Sequence, residues 1–468
     1  VVQPGARGGS VPRAAALACG LAAALFAFLF LPELRDGRVV AYRDSVYYHL
    51  PVSRLVSGEL RAGRFPFWNP VIQCGTPLAA NPNNYAWYPS RLLELVLDPI
   101  DAMSVHFFAH WAAGGVAMAL LAAALGASVP AAAAAAGIYL LCGPALSLLN
   151  FANLVPYLLW MPATMLAALH LVRRPGAAAA AGLAVCLALQ TTFAEPIFLA
   201  AEAIAVAAVL AGAGRVPVGG GAREGGGTRS VGRAAGWAAA AGLVALLVSA
   251  PSWVPTAELV ASSARGADAK ASLGSSVPAF GLVQIAVPQL FGDYHTLEKL
   301  GYWGEIFNEE GKGPFFLSLS FGVTVLALAA AGAAGRPRVA GPLLVAAALG
   351  VVLGMGRHFA PLRPLLFSEG GGFFRWPVKF FFLAAVAVPP AAALGLDAVA
   401  AGRRRAAWTA AGVAIALAAA AMIALRTMGS APGEGWLGWI VSGMTRVKDV
   451  PRILDETHAR FLRTAAVA

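Results

Sequence analysis

What most constrains this chain is the recurrence of apolar runs about 20 residues long, the length at which an α-helix crosses the hydrocarbon of a bilayer. They fall near 12–33, 104–126, 129–149, 152–172, 176–194, 196–213, 233–255, 314–334, 339–356, 377–398 and 406–425, which predicts about eleven spans. Backbone in hydrocarbon has no water to bond, so such runs must be helical. Composition agrees, with 59% of residues hydrophobic and 12% charged, whereas a soluble domain carries roughly a quarter charged residues. The expected fold class is an all-α polytopic membrane protein whose loops carry short helices. The net charge of +11 does not point to nucleic acid, because the basic residues sit in short clusters between apolar runs. That pattern belongs to topology signals and anionic lipid headgroups.

The clusters fall on alternate connections. With the N-terminus inside, Arg7 and Arg13, then Arg173 and Arg174, then Arg215, Arg223, Arg229 and Arg233, then Arg336 and Arg338, then Arg403, Arg404 and Arg405 share one side, opposed only by Glu224 and Asp397. The positive-inside rule makes that side cytoplasmic. The polar segments 34–103, 256–313 and 357–376 and the tail then lie outside. Residues 1–426 read as one transmembrane domain and 427–468 as an amphipathic outer tail, and a chain that begins with Val and stops soon after a charged helix is expected to be a fragment. The apolar run after Arg13 is longer than a typical signal-peptide core, so an uncleaved first helix is expected. Of the cysteines only Cys74 falls outside the expected spans, so neither a disulfide framework nor a Cys-based zinc site is expected.

Chemistry concentrates in the polar segments. Residues 41–91 are broken by Pro51, Pro66, Pro70, Pro77, Pro82 and Pro89, so they cannot span, and their aromatic density suits a folded cap and working surface. Asp44 stands beside Arg43, with His49 shortly after; such a carboxylate suits a general base, a metal ligand or an ordinary ion pair. In the second segment Asp293, His295, Glu305, Glu309 and Glu310 could orient a hydroxyl or hold a divalent cation, although their spacing matches no strong metal motif and no metal ligand is assigned. A solvated acidic loop is the plain alternative; Glu305, framed by Tyr302, Trp303 and Phe307, is the leading candidate. Arg375 and Lys379 straddle Pro377 and can share one helical face, where two cations suit a lipid phosphate or pyrophosphate; snorkelling to ordinary headgroups is the alternative. Within apolar runs, Glu195 reads as a turn residue near water, Glu202 as a weaker candidate, and His106 and His110 as interhelical hydrogen-bonding groups.

The order Asp44, SGELRAGRFPFWNP, CGTPLAANPNNYAWYP resembles the first extracytoplasmic loop of bacterial YfhO-type membrane proteins, which are similar to GT-C glycosyltransferases. FRWPVKF resembles that family's FRxPxRF-type element, with Lys379 in place of an arginine. The resemblance implies a GT-C-like enzyme of the bacterial inner membrane, moving a sugar from a polyprenyl-phosphate carrier to a cell-envelope glycan, lipid or protein acceptor, amid membrane lipids. It implies that Asp44 is the catalytic base, with Glu305 assisting, and that Arg375 and Lys379 bind the donor phosphate. Expected substrate contacts are His49, Trp68, Asn69, Asn81, Tyr85, Tyr88, Asp293 and His295. No cofactor is required beyond a divalent cation left open. Where relatives carry Gly-His-Pro, this chain has Ala194-Glu195-Pro196. A lipid or glycan transporter or flippase, and a non-catalytic envelope assembly factor on the same fold, are the rival expectations.

Overall fold

The computed structural model describes residues 10–39, 43–213, 227–263, 275–287, 314–362 and 374–426. Helices α1 (Ser10–Leu29) and α2 (Leu31–Arg35) precede the first loop, which contains α3 (Leu50–Arg61). Then follow α4 (Pro99–Ala124), α5 (Val129–Leu141), α6 (Gly143–Leu148), α7 (Tyr157–Arg173), α8 (Ala177–Thr191), α9 (Pro196–Ala213), α10 (Gly227–Val248) and α11 (Ala250–Ala261). The last four among the described residues are α12 (Val323–Gly335), α13 (Pro337–Gly354), α14 (Phe382–Ala400) and α15 (Arg404–Arg426). The strands among the described residues are the two-residue β1 (Trp68–Asn69) and β2 (Thr76–Pro77), paired antiparallel in the first loop.

The chain is α-helical and its apolar helices suit a membrane. Among the described residues, five stretches are long and apolar enough to cross one: Val11–Leu29, Pro99–Ala124, Val231–Val248, Pro337–Gly354 and Pro377–Ala400. Helices α5, α8, α9 and α12 are apolar but shorter. Several expected spans are therefore not continuous helix. The run 129–149 stops at Leu141, because Cys142 turns extended ahead of Gly143 and Pro144, and Gly143 N donates instead to Ser320 O at 2.8 Å. The run 152–172 becomes helical at Tyr157, after Pro156, and the run 314–334 at Val323. The run 233–255 is interrupted at Ser249, where Pro251 opens α11.

Helix α14 is central, buried along most of its length and packed against α12, α13 and α5. Small residues permit the tightest crossing: a Cβ at Gly332 of α12 or Gly395 of α14 would collide with the carbonyls of Ala391 and Leu328 respectively. One end of the bundle is closed by arginines on helix-terminal carbonyls. Arg173 donates to Ala124 O at 2.8 Å, Arg336 to Gly126 O at 2.6 Å, and Arg403 to Gly335 O. Cations are favoured there because the last carbonyls of a helix lack intrahelical donors.

At the other end the first loop folds on Arg91, which is 2% exposed. Its guanidinium donates to Ser53 Oγ at 2.6 Å, to the carboxylate of Glu94, and twice to Asn84 O at 2.7 and 3.2 Å. It also lies 3.7 Å over the Tyr85 ring, which stacks on His106 of α4 at 5.2 Å. Burial raises the Glu94 carboxyl pKa despite Arg91, so desolvation outweighs the attraction of the pair on that side. The expected consequence is asymmetric. Arg91→Ala, which strands Glu94, should cost about 3–5 kcal/mol, whereas Arg91→Met with Glu94→Leu should restore about half of that or more; thermal unfolding in detergent measures both.

Candidate functional site

A cavity of about 290 Å³ opens where helical structure is interrupted. Its walls are the π-helical turn Ser45–His49, the irregular run 149–156, the turn between α8 and α9, the segment before α12, and the 3-10 turn Pro377–Phe381 ahead of α14. Asp44, Tyr48, His49 and Asn83 line it from the first loop, and Phe151, Asn153 and Leu154 from the irregular run. Glu195, Phe315, Arg375, Trp376 and Lys379 complete it. Chain segments far apart in sequence thus present two carboxylates, two cations, an imidazole and two amides to one space.

Local contacts lock these walls together. Ser45 Oγ donates to Asn150 O at 2.8 Å, Asn153 Nδ2 to Asn83 Oδ1 at 3.0 Å, and Arg43 Nη1 to Pro314 O at 2.6 Å. Phe151 stacks on Phe315 at 4.7 Å. Arg43 (φ 47°) and Trp376 (φ 64°) are left-handed, which is uncommon for residues with a Cβ. Each adjoins a charged lining residue, Asp44 and Arg375, so the aim of those side chains is set by backbone that the surrounding contacts must hold.

The charges are unevenly shared. Lys379 Nζ lies 3.0 Å from Glu195 Oε1, with the two side chains 4% and 7% exposed. The geometry is that of an ion pair rather than a directed hydrogen bond, so Glu195 Oε1 retains an open acceptor direction. The ammonium also sits 4.7 Å from the Trp376 ring centroid and 5.5 Å from that of Phe315. Glu195 is fixed from behind, its N–H donating to the Tyr157 hydroxyl at 3.0 Å. Arg375 Nε is buried without a hydrogen-bond partner among the described residues. Asp44 is exposed while lining the cavity, which places it at the open side.

His49, 2% exposed, has its pKa lowered to about 3 by burial first and by the Arg91 charge second, against a hydrogen bond with Asn153. It is neutral at ordinary pH, and its Nδ1 is buried without a hydrogen-bond partner among the described residues. The Tyr48 hydroxyl is pushed up by burial, opposed by Arg91, and donates to Asn84 Oδ1 at 2.6 Å. The cavity therefore offers charged groups for an anion and neutral groups suited to hydroxyls.

Of the residues expected from sequence, Asp44, His49, Arg375 and Lys379 meet in this cavity. Trp68, Asn69, Asn81, Tyr85 and Tyr88 do not line it. Trp68 is exposed at 54% on β1, and Asn69 turns inward to accept from Val71 N at 2.9 Å. Asn81 acts behind the wall, donating to the Tyr48 hydroxyl at 3.3 Å. Tyr85 is covered by Arg91, and Tyr88 joins Trp160 to His110, whose Nδ1 donates to His106 O at 2.6 Å. Asp293, His295 and Glu305, with Glu309 and Glu310, lie outside the described residues, as does the tail. Glu202 accepts from Gln190 at 3.0 Å, and Gln190 also donates to Thr164 at 2.9 Å, which ties α7, α8 and α9 away from the cavity.

Sequence reasoning missed Arg91, Asn83, Asn153 and the pairing of Glu195 with Lys379. Two signals were present: amides in the otherwise apolar LLNFANLVP, and an Arg–Glu pair three apart in PSRLLEL. No protein-family model matches the chain, and no curated protein matches it.

The low His49 pKa carries a sign. An unfolded chain binds a proton near pH 6.5 that the folded imidazole refuses until about 3, so stability is full above 6.5 and falls as pH drops through that window. Complete loss is on the order of a few kcal/mol. Relative to wild type, His49→Gln should flatten the fall in Tm across the same window, measured by thermal unfolding against pH.

Proposed function

We propose that this protein is a membrane glycosyltransferase of the GT-C type, transferring a sugar from a polyprenyl-phosphate carrier to an acceptor hydroxyl. The observation that carries this reading is the meeting of Asp44 with Arg375 and Lys379 on one cavity. A base and two cations on one small space suit a displacement in which a phosphate leaves. A further cavity of about 700 Å³, bounded by Ala22, Phe26, Phe108, Ala112 and Val116 of α1 and α4 with Leu159 of α7, suits a hydrocarbon chain. The alternation of basic connections supports an orientation with the polar cavity on the non-cytoplasmic side.

In this mechanism Asp44 takes the acceptor hydroxyl proton as the oxygen attacks the anomeric carbon. The new carbon–oxygen bond forms while the bond to the phosphate oxygen breaks, and the electron pair leaves on the phosphate. Direct displacement inverts the anomeric centre. The phosphodiester carries one negative charge and the departing monoester two, so the gain in charge occurs where Arg375 and Lys379 lie. His49, Asn83 and Asn153 contribute neutral hydrogen-bonding groups for sugar hydroxyls, and Trp376 and Phe315 give faces for the ring and keep water from competing.

One observation favours transport instead: the interrupted run 142–156 packs on the non-helical segment before α12, as broken helices do around transporter sites. Reconstitution in vesicles with polyprenyl-phosphate sugars and a panel of acceptors separates the two. Transfer by wild type, a loss of about 100-fold or more in Asp44→Asn with donor binding retained, and weakened donor binding in Arg375→Ala are the expected results. Equal turnover in wild type and Asp44→Asn removes the base; movement of lipid without transfer installs the transporter.

A further inference from the structure

The two cations of the cavity are not equally opposed by its carboxylates. Lys379 already has Glu195 3.0 Å away, and both side chains are almost wholly buried. Arg375 has no comparable carboxylate partner among the described residues, and its Nε is buried there without a hydrogen-bond acceptor. Glu195 is not placed there by chance of a flexible side chain, since its backbone is pinned to Tyr157 and begins α9 through Pro196. An anion entering the space thus passes the Asp44 carboxylate at the open side and then meets one cation without a carboxylate partner among the described residues and one whose charge is opposed from within the wall.

We propose that Glu195 is a specificity-determining residue that sets the charge of the headgroup this cavity accepts, admitting a singly charged phosphodiester and disfavouring a doubly charged phosphate monoester. This rests on reading the cavity as a phosphate site. Its use is in turnover. Donor and product differ by one negative charge on the same phosphorus, so a cavity with two unopposed cations would hold the spent lipid phosphate more tightly than the sugar-bearing one. Glu195 removes that advantage: a second negative charge near Lys379 is also near the Glu195 carboxylate, and in a site so little exposed to water the repulsion is weakly screened. Removing the carboxylate leaves the charge of the buried ammonium less opposed, and a dianion gains more from that than a monoanion does.

The test is a binding titration in detergent with two probes of equal alkyl length, an alkyl phosphate monoester and its methyl phosphodiester. The pH is held well above about 6, where the monoester is a dianion. Wild type should bind the diester at least as tightly as the monoester. Glu195→Gln, which keeps the shape and loses the charge, should tighten the monoester by about tenfold or more while moving the diester by no more than about threefold. Lys379→Gln should weaken both probes, the opposite sign. A structural ion pair alone would make the two substitutions alike.

The proposal is overturned if Glu195→Gln shifts both probes by the same factor, or if wild type prefers the monoester by about tenfold or more. The wild-type comparison decides even where a variant fails to fold. Neither probe carries a sugar, so the measurement is independent of transfer: an absence of glycosyl transfer in vesicles would sink the enzyme and leave the charge preference standing.

Discussion

The first loop keeps its shape through one buried guanidinium. Arg91 gathers Ser53 of α3, the carboxylate of Glu94, the Asn84 carbonyl and the Tyr85 ring, and through Tyr85 it reaches His106 of α4. A charge that deep is tolerated only when its donors are engaged, so every group it holds is held firmly. The apolar contribution around it is small, made chiefly of Val52, Val56, Leu78, Ala79 and Ala86. The same cation reaches beyond folding. Burial lowers the His49 pKa and raises that of Tyr48, and Arg91 adds to the first shift and opposes the second.

Why the cavity lies where it does follows from the solvent. Apolar surroundings demand helices, and each departure from helix must find partners for the backbone groups it frees. Here the departures supply one another. Gly143 N–H donates to Ser320 O, Ser318 N–H to Ser147 Oγ, Val277 N–H to Gly354 O and Val378 N–H to Ser275 O. Irregular segments therefore collect at one end of the bundle, and the side chains they carry, Phe151, Asn153, Phe315, Arg375 and Lys379, are delivered to one place as a by-product of that mutual satisfaction.

What could be read beforehand divides along the same line. Hydropathy located the helices because burial in hydrocarbon writes itself into composition over about 20 residues. It overran at 142–156 and before Val323, where Gly143, Pro144 and Pro156 interrupt helices inside apolar sequence, and apolar content cannot tell a buried irregular segment from a span. Asp44, His49, Arg375 and Lys379 were visible as charged or polar groups near the ends of apolar runs. Tyr85 and Tyr88 looked equally available, yet Arg91 covers one and Trp160 with His110 engages the other. An aromatic residue in a loop reads alike in sequence whether it faces ligand or its own fold. Glu195 was legible as a charge in an apolar turn, but nothing in the order of residues linked it to Lys379, a contact that only the packing of α9 beside the turn before α14 creates.

The two ends of the molecule use cations differently, and the difference bears on function. At one end Arg173, Arg336 and Arg403 each bind a carbonyl near a helix terminus, positions where positive charge stabilises the fold whatever the protein does. At the other end no such explanation covers Arg375. Its buried Nε has no acceptor among the described residues, and it sits on a cavity beside an ion pair and an exposed carboxylate. Desolvating a guanidinium nitrogen without a partner is unfavourable, and a fold selected for stability alone would have matched it. An anion supplied from outside answers that deficit. With Glu195 opposing Lys379 from within the wall, Arg375 is the cavity cation that has no carboxylate partner among the described residues, and it is the group such an anion would meet.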